Sequence, residues 1–379
     1  MVKETKLHKR NVFLLALVIL LILGGVFKNQ IEGILTILYG VTVDKAINLV
    51  SSQRESFNIA LLGIGGGKHE GPDLTDTIIL ANVNIKQNKV HMFSIPRDLW
   101  IKDKKDKINS IYAKAQENKN GISAVKDALQ DVTGQKVDYI LVLDFEGFIK
   151  LVDHLGGINV SVEKSFSDPE YPIAGKEEDP CGKPEEELES LATLSSQLEA
   201  FPCRYKTIAF TKGETEMNGE TALEFVRSRH GIGGEGSDFA RSKRQQLVIQ
   251  SLKEKAFSLG VILNPVKLVG VYNILKANIN TNVDIDKVDD FIKLAKKFQS
   301  GEVKNYVIDE GNEFQNRFGL MRNPPITEEY RLKWVLIPRI GNGDYSEVHD
   351  YVDCHIQNRQ CEVTSTGIDV IVTPTPPSE

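Results

Sequence analysis

The chain has 379 residues, of which 41% are hydrophobic, and a formal net charge of −6 at pH 7. This length and composition indicate a globular protein with one large domain or two small ones, each able to bury a core. The negative charge argues against a general nucleic-acid binder, because neutralising a phosphate backbone normally requires a basic face. We therefore expect no nucleic-acid partner.

The N-terminus has the pattern of a membrane signal. Residues 1–10 are rich in lysine and arginine, and residues 11–27 are uncharged and mostly aliphatic. A basic stretch before an apolar run predicts a membrane segment with its N-terminal side in the cytoplasm. The run is shorter than the roughly 20 residues of a typical span. A cleaved signal peptide is the alternative, although no A-x-A-like cleavage site follows.

From this pattern we expect a cytoplasmic tail at 1–10, an uncleaved signal-anchor at 11–28 and a stalk at 29–55. The rest of the chain would then lie outside the cell. Strand patterns follow at 57–64, 77–83, 89–95, 139–143 and 158–162. Helical patterns occupy 121–133, 145–154, 219–229, 239–259, 265–275 and 286–300. The alternation predicts an α/β or α+β fold in which helices cover a sheet, with a hairpin formed by 77–83 and 89–95.

Two segments depart from this alternation. Residues 165–212 contain several prolines and an acidic run, and we interpret them as a lid or surface excursion. Residues 311–379 are interpreted as a small C-terminal appendage with a flexible tail. Neither segment has a pattern that assigns it a role.

The four cysteines form two pairs that are close in sequence, Cys181 with Cys203 and Cys354 with Cys361. Four cysteines allow three connectivities, of which we favour this local one; four unrelated thiols are the alternative. Neither pair has the C-x-x-C spacing of a zinc site. Disulfides suit a domain outside the cell.

Two short stretches combine arginine with aspartate at the ends of apolar segments. The first reads Ser-Ile-Pro-Arg-Asp at 94–98, where Pro96 ends the strand so that Arg97 and Asp98 leave the sheet at its edge. The second includes Arg227 and Arg229 at the end of a helix. Taken alone, each has an ordinary explanation, a surface ion pair or cations at a helix C-terminus. Together they suit a phosphate ester or pyrophosphate with a divalent metal.

The order of several motifs carries a family resemblance. They are Leu-Thr-Asp-Thr at 74–77, Ser-Ile-Pro-Arg-Asp at 94–98, Lys-Ile-Asn at 107–109, the turn at 151–157, and the stretch 218–246 with Arg-Ser-Arg at 227–229 and Arg-Gln-Gln at 244–246. In this combination the chain resembles the LytR-CpsA-Psr family of cell-wall glycopolymer ligases. The resemblance covers roughly residues 57–259.

The resemblance implies a catalytic domain, here at 56–310, with a mixed sheet and flanking helices around a hydrophobic tunnel for a polyprenyl tail. It implies a bacterial phosphotransferase anchored in the cell membrane by one N-terminal transmembrane helix. Such an enzyme moves a glycopolymer, such as a teichoic acid or capsular polysaccharide, from undecaprenyl pyrophosphate onto peptidoglycan with Mg²⁺. The implied partners are the polyprenyl-pyrophosphate-linked glycopolymer, peptidoglycan and the lipid bilayer.

Site roles follow from motif position. By resemblance, Asp76 is a metal ligand, Arg97 clamps the pyrophosphate, and Arg227 and Arg229 form a second clamp. The remaining site residues implied are Asp238, Arg241, Gln245 and, as a weaker candidate, Lys107. Arginines and a metal can stabilise the charge of a pyrophosphate leaving group, and Asp238 is our candidate for the base that takes the acceptor's proton or orients it.

The chain departs from the family pattern at two positions. Gly65 stands where the first strand usually ends in aspartate, and Leu74 stands where arginine is usual two residues before Asp76. Asp73, His69 or Glu70 could substitute as ligands, although histidine suits Mg²⁺ poorly. Two alternatives to the ligase therefore stay open: a polyprenyl-pyrophosphate hydrolase with water as acceptor, and a non-catalytic lipid-binding scaffold of the wall.

Overall fold

The structure, a computed structural model, describes residues 54–67, 69, 71–192, 196–262, 264–284, 290, 293–294, 297–298, 301–312 and 316–371. The predicted tail at 1–10, the anchor at 11–28 and nearly all of the stalk at 29–55 lie outside these residues. Across the described ranges, no helix combines the length and apolarity that a membrane span requires.

The described part of the chain contains ten α-helices. They are α1 Asn109–Gln116, α2 Gly121–Thr133, α3 Phe145–Leu155, α4 Glu185–Ala192, α5 Gln197–Ala200, α6 Gly219–Arg227, α7 Asp238–Ala256, α8 Leu259–Ile262, α9 Pro265–Asn278 and α10 Ser346–Ile356. The helix predicted at 286–300 lies largely outside the described residues.

The strands are numbered in the same way. They are β1 Ser56–Ile64, β2 Thr75–Asn84, β3 Lys89–Ser94, β4 Trp100–Ile101, β5 Asp106–Lys107, β6 Tyr139–Asp144, β7 Ile158–Val162, β8 Phe166–Pro172, β9 Tyr205–Phe210, β10 Gly213–Met217, β11 Ile279–Thr281, β12 Glu302–Val307, β13 Gly311–Asn312, β14 Arg317–Phe318, β15 Met321–Arg322, β16 Ile337–Pro338, β17 Cys361–Val363 and β18 Ile368–Val370.

Six strands form the central sheet in the order β11-β6-β1-β2-β3-β12. The pairs β1–β2, β2–β3 and β6–β11 are antiparallel, whereas β1–β6 and β3–β12 are parallel. The prediction of a mixed sheet flanked by helices is therefore confirmed, and so is the hairpin of β2 and β3. Strand β3 is internal, so Arg97 leaves the sheet from a strand end and not from an edge strand.

Both faces of the sheet are buried, which follows from the alternation of side chains along a strand. On β2, Ile78 and Leu80 join a large core cluster, while Ile79 and Ala81 pack with Met92 in a cluster on the opposite face. The large cluster also receives Leu129 from α2. This two-sided burial explains why the strand sequences are almost continuously apolar.

Helix α3 begins at Phe145, directly after β6, and both of its ends are capped. The Asp144 side chain accepts a hydrogen bond from the Gly147 amide at 2.7 Å, and Gly156 closes the helix with a φ of 80°. An acceptor at the N-cap and a left-handed glycine at the C-terminus both stabilise helix ends. The tight join fixes Phe145 at the C-terminal end of β6.

A second core cluster lies beside the central sheet, built from β7, β8, β9, β10, α6 and α7. The segment 165–212 contributes β8 and β9 at its two ends, and Phe166, Tyr171 and Phe210 are buried there. The structure joins Cys181 to Cys203 between these strands. The two ends of this segment therefore belong to the packed domain.

The C-terminal segment packs against the central sheet. Leu336 pairs with Leu99 as an isolated parallel bridge, and Val348 and Val352 of α10 lie in the large core cluster. A second disulfide joins Cys354 to Cys361 at the end of α10. Residues up to at least 352 thus share a core with the central sheet, while the boundary predicted at 310 stays a prediction.

Candidate functional site

The candidate site lies at one end of the central sheet. The register of β2 and β3 pairs Ile79 with Ser94. Because the strands are antiparallel, continuing this register by three residues sets Asp76 opposite Arg97. The Arg97 guanidinium donates a hydrogen bond to the Asp76 carboxylate, so the two predicted residues form an ion pair.

Arg97 also contacts Asp98, which is buried. Arg97 Nε lies 3.4 Å from Asp98 Oδ2, and Lys107 Nζ donates to Asp98 Oδ1 at 2.5 Å. Burial alone would lower the pKa of Arg97, but Asp76 and Asp98 raise it above its ordinary value. Burial likewise works to raise the pKa of Asp98, yet Arg97 and Lys107 hold it below its usual range. Lys107 therefore neutralises the carboxylate that supports Arg97.

The second group of basic residues lies on the turn between α6 and α7. Buried Asp168 of β8 holds this turn by accepting three hydrogen bonds at Oδ2, from Ser228 Oγ at 2.7 Å and from the Arg229 and His230 amides at 3.1 Å each. Asp168 was not among the predicted site residues, because it lies in the segment interpreted as a surface excursion. The strand reads Phe-Ser-Asp-Pro-Glu-Tyr-Pro, without the apolar alternation that would have indicated a half-buried strand.

Arg244 supports the same turn from α7. Its guanidinium donates to the carbonyl oxygens of Phe225, Ser228 and Glu235 at 2.7–2.8 Å. Burial lowers the pKa of Arg244 to about 10. All of these hydrogen bonds point into the protein, so Arg244 orders the backbone that carries Arg227 and Arg229.

Three further predicted residues meet at this end of the sheet. Arg227 lies over the Phe145 ring, with its guanidinium carbon 4.5 Å from the ring centre. Arg241 is buried and pairs with Asp238 at 2.8 Å. Gln245 Nε2 donates to Thr77 Oγ1 at 2.9 Å, which ties α7 to β2.

Burial lowers the pKa of Arg241, and the nearby positive charges of Arg229 and Arg97 act in the same direction. An arginine stays charged under ordinary conditions. The lowered pKa therefore reflects burial first, with Asp238 and Asp76 acting against the two neighbouring arginines. A bound anion would stabilise the charged form of Arg241.

Two cavities open at this end of the sheet. The first, about 340 Å³, is lined by four arginines, Arg97, Arg227, Arg229 and Arg241, together with Asp76, Gln245 and the rings of Phe145, Tyr171 and Tyr205. The second, about 570 Å³, adds Asp238 and the residues that follow β12. The residues that line both cavities are Asp76, Arg229, His230, Arg241 and Gln245. Lys107 lines neither cavity. Every other predicted site residue outside the disulfides lines at least one of them.

The donor set for Mg²⁺ at this site is small. Asp76 pairs with Arg97 and lines both cavities, whereas Asp98 lines neither. The space next to Gly65 is occupied by His69, whose ring packs against Phe145 with 5.4 Å between ring centres. Among the described residues, the one cluster of three metal-ligating side chains combines Asp179 with the disulfide-bonded Cys181 and Cys203. Asp76 can thus offer one ligand, and substrate phosphate oxygens would have to supply the others, as is common for Mg²⁺.

The α/β fold gathers four arginines at one end of its central sheet, and guanidinium groups have the geometry to bind phosphate oxygens. The chain belongs to the LytR_cpsA_psr family, whose model matches residues 38–321. This confirms the family resemblance inferred from the motifs.

Curated relatives agree with the family. The chain is 27% identical over 252 residues to the polyisoprenyl-teichoic acid–peptidoglycan teichoic acid transferase TagU of Bacillus subtilis strain 168, covering 65% of this chain and 66% of the relative. It is 28% identical to the regulatory protein MsrR of Staphylococcus aureus strain COL, covering 59% of this chain and 56% of the relative. The chain thus spans about two thirds or less of these two relatives.

Solved structures share the fold. TagV of B. subtilis is 21% identical, with a TM-score of 0.53 over 80% of this chain and 98% of that chain. TagT in a structure bound to LI-WTA is 19% identical, with a TM-score of 0.51 over 84% of this chain and 94% of that chain. At these identities the likeness establishes the fold alone.

Proposed function

We propose that this protein is a phosphotransferase that moves a glycopolymer from a polyprenyl pyrophosphate carrier onto peptidoglycan. The observation that carries the proposal is the first cavity, where Arg97, Arg227, Arg229 and Arg241 face a common space. Membership of the LytR_cpsA_psr family and the similarity to a relative named as a teichoic acid transferase support the same class of enzyme. A teichoic acid or a capsular polysaccharide would be the glycopolymer.

In this mechanism the acceptor hydroxyl attacks the phosphorus that carries the glycopolymer. A new phosphodiester bond forms, the pyrophosphate bond breaks, and polyprenyl phosphate leaves. Arg97, Arg227 and Arg229 bind the phosphate oxygens and stabilise the negative charge of the leaving group. Gln245 fixes α7 against β2, and Asp238 accepts the acceptor's proton or orients its hydroxyl.

The prenyl tail of the donor needs an apolar environment. We propose that it occupies a hydrophobic tunnel that opens at the arginine cluster, which agrees with the apolar Phe145 and Val226 in the wall of the first cavity. Mg²⁺ would be held by Asp76 together with the donor's phosphates, and it would supply additional charge for the leaving group.

The membrane location rests on the sequence. We propose that residues 11–28 anchor the chain in the bacterial cell membrane, with the tail in the cytoplasm and the main domain outside. Extraction of membranes at alkaline pH should leave the full chain in the pellet, and release into the supernatant would contradict an anchor.

The activity is tested with the full chain and a synthetic polyprenyl-pyrophosphate-linked sugar, by following polyprenyl phosphate with and without peptidoglycan and Mg²⁺. We expect release that depends on both, and a loss of at least about 100-fold in Arg97→Ala and in Arg227→Ala, since each removes a charge at the leaving group. Arg54→Ala is the matched control, because Arg54 pairs with Asp138 away from both cavities.

The same assay separates the alternatives. Release without peptidoglycan would identify a hydrolase that uses water as acceptor. Tight binding of the lipid without release would identify a non-catalytic scaffold. The glycine at position 65 favours this outcome, because it removes the aspartate that the family pattern has at the end of the first strand. Unchanged release in the Arg97 and Arg227 variants would contradict every assignment made to the first cavity.

A further inference from the structure

The second cavity differs from the first in its further lining residues, although Asp76, Arg229, His230, Arg241 and Gln245 line both. It lies at the same end of the sheet because β12 runs parallel to β3, so the residues that follow both strands emerge side by side. Its own wall carries Asp238, Asp309 and Glu310. These carboxylates offset the positive charge of Arg229 and Arg241, which also line this cavity. A neutral ligand rich in hydroxyl groups would find acceptors there.

The three carboxylates are not equivalent. Asp309 is held by both terminal nitrogens of Arg317, at 2.8 and 2.6 Å, and Asp238 is held by Arg241. Glu310 has no ion pair among the described residues, and its side chain is exposed to the cavity. Partial burial, together with Asp238 and Asp309, raises its pKa. The Asn323 backbone amide donates a hydrogen bond to Glu310, and the remaining acceptor positions of this carboxylate are open to a ligand.

The aromatic side chains of the cavity are also not equivalent. The Phe239 ring is covered by the Arg317 guanidinium, 4.3 Å from the ring centre, and by Lys243 at 5.2 Å. Trp334 lines the cavity with 40% of its surface exposed, and no described ring or cation stacks on it. An open indole that lines the same cavity as a carboxylate suits a sugar, whose C–H face packs on the ring while its hydroxyl groups donate to the acid.

We propose that the second cavity binds the acceptor as a neutral N-acetylhexosamine oligosaccharide, with Trp334 as its stacking platform and Glu310 as its hydrogen-bond acceptor. This inference rests on the proposed function, because it takes the sugar's hydroxyl as the group that attacks the donor phosphorus next to Arg229 and Arg241. Trp334 lies beyond residue 321, where the family match ends, so the platform is a feature of this chain's own C-terminal segment.

The chain contains its own reporter for this site. It has two tryptophans, and Trp100 is buried with 1% of its surface exposed. A sugar that stacks on Trp334 should change the emission of that residue and leave Trp100 unaffected. Chitotetraose, a neutral N-acetylglucosamine tetramer, is the probe, and tetragalacturonate is the anionic comparison.

We expect the full chain to show a saturable fluorescence change with chitotetraose and a much weaker one with tetragalacturonate. Glu310→Gln should weaken chitotetraose binding about threefold or more, because a carboxylate accepts hydrogen bonds more strongly than an amide. Trp334→Ala, followed by calorimetry, should weaken it about tenfold or more. Phe318→Ala is the matched control, since Phe318 is an exposed aromatic residue that lines neither cavity.

Arg97→Ala separates this inference from the proposed function. Chitotetraose should bind Arg97→Ala as it binds the parent protein, even if all release of polyprenyl phosphate is lost. Absence of sugar binding, equal binding in Trp334→Ala, or a Trp334 response to polyprenyl phosphate in place of the sugar would overturn the acceptor site. None of these results depends on whether the donor is cleaved.

Discussion

At the scale of single residues, the position of the arginines depends on side chains that line neither cavity. Asp98 contacts Arg97 and accepts a hydrogen bond from Lys107. Arg244 donates hydrogen bonds to the backbone of the turn that carries Arg227 and Arg229. Packed and hydrogen-bonded supports of this kind keep a charged group in place, because a loose arginine would lose rotamer entropy on binding. The geometry of the arginines is therefore set by neighbours that the motif alone does not reveal.

Asp168 provides a prediction at this scale. Asp168→Ala should lower the free energy of unfolding by about 3 kcal/mol, because three donors would lose their acceptor inside the protein. Urea unfolding measures this, and Asp350→Ala at an exposed position should change stability by less than about 0.5 kcal/mol. Asp168→Ala should also weaken binding of pyrophosphate. An unchanged midpoint would show that the turn does not need this carboxylate.

At the scale of elements, strand register determines which residues meet. Asp76 and Arg97 are 21 residues apart, and the antiparallel pairing of β2 with β3 brings them together. The hairpin was predictable from the polar turn between two apolar runs, and so this contact follows from it. The pairing of β12 with β3 was not predictable, since more than 200 residues separate them in the chain. Asp309 and Glu310 were missed for that reason.

The Cys181–Cys203 disulfide gives a prediction for the segment between β8 and β9. It closes a loop with a sequence separation of 22 residues, for which the chain-entropy estimate is about 3 kcal/mol. Replacing both cysteines with serine should lower the free energy of unfolding by about that amount. Replacing Cys354 and Cys361 should cost less, because their separation is 7 residues. Non-reducing peptide mapping checks both pairings, and any mixed pair would contradict them.

At the scale of the whole molecule, two histidines are buried where the helix α10 packs near β3, one on each element. His355 of α10 stacks on Tyr306 with 3.9 Å between ring centres, and His91 of β3 lies on Tyr306 as well, at 5.9 Å. Burial lowers the pKa of His355 to about 4, with His91 and Lys304 acting in the same direction. Burial also lowers the pKa of His91. Both rings are therefore held neutral.

This arrangement predicts acid sensitivity. A histidine whose pKa is lower in the folded state binds more protons when unfolded, so its contribution is intact above about pH 6.5 and falls as the pH drops toward about 4. We expect unfolding free energy to fall by about 2 kcal/mol or more across this window. His355→Phe should flatten the dependence while keeping the stacking on Tyr306. A pH profile unchanged by His355→Phe would assign the acid sensitivity to other groups.

Sequence alone indicated the strands of the central hairpin, most of the longer helices, the favoured cysteine pairing, the family and most of the arginine cluster, because these depend on local apolar periodicity and on motif order. It did not indicate β8, β9, β10 or β12. Tertiary structure decided how these parts meet. In the folded chain, Asp168 accepts hydrogen bonds from the turn that carries Arg229, and Lys107 binds Asp98 and lines neither cavity. Glu310 and Trp334 line the second cavity together with Asp238. These contacts join segments far apart in the chain, and local periodicity carries no information about such pairings.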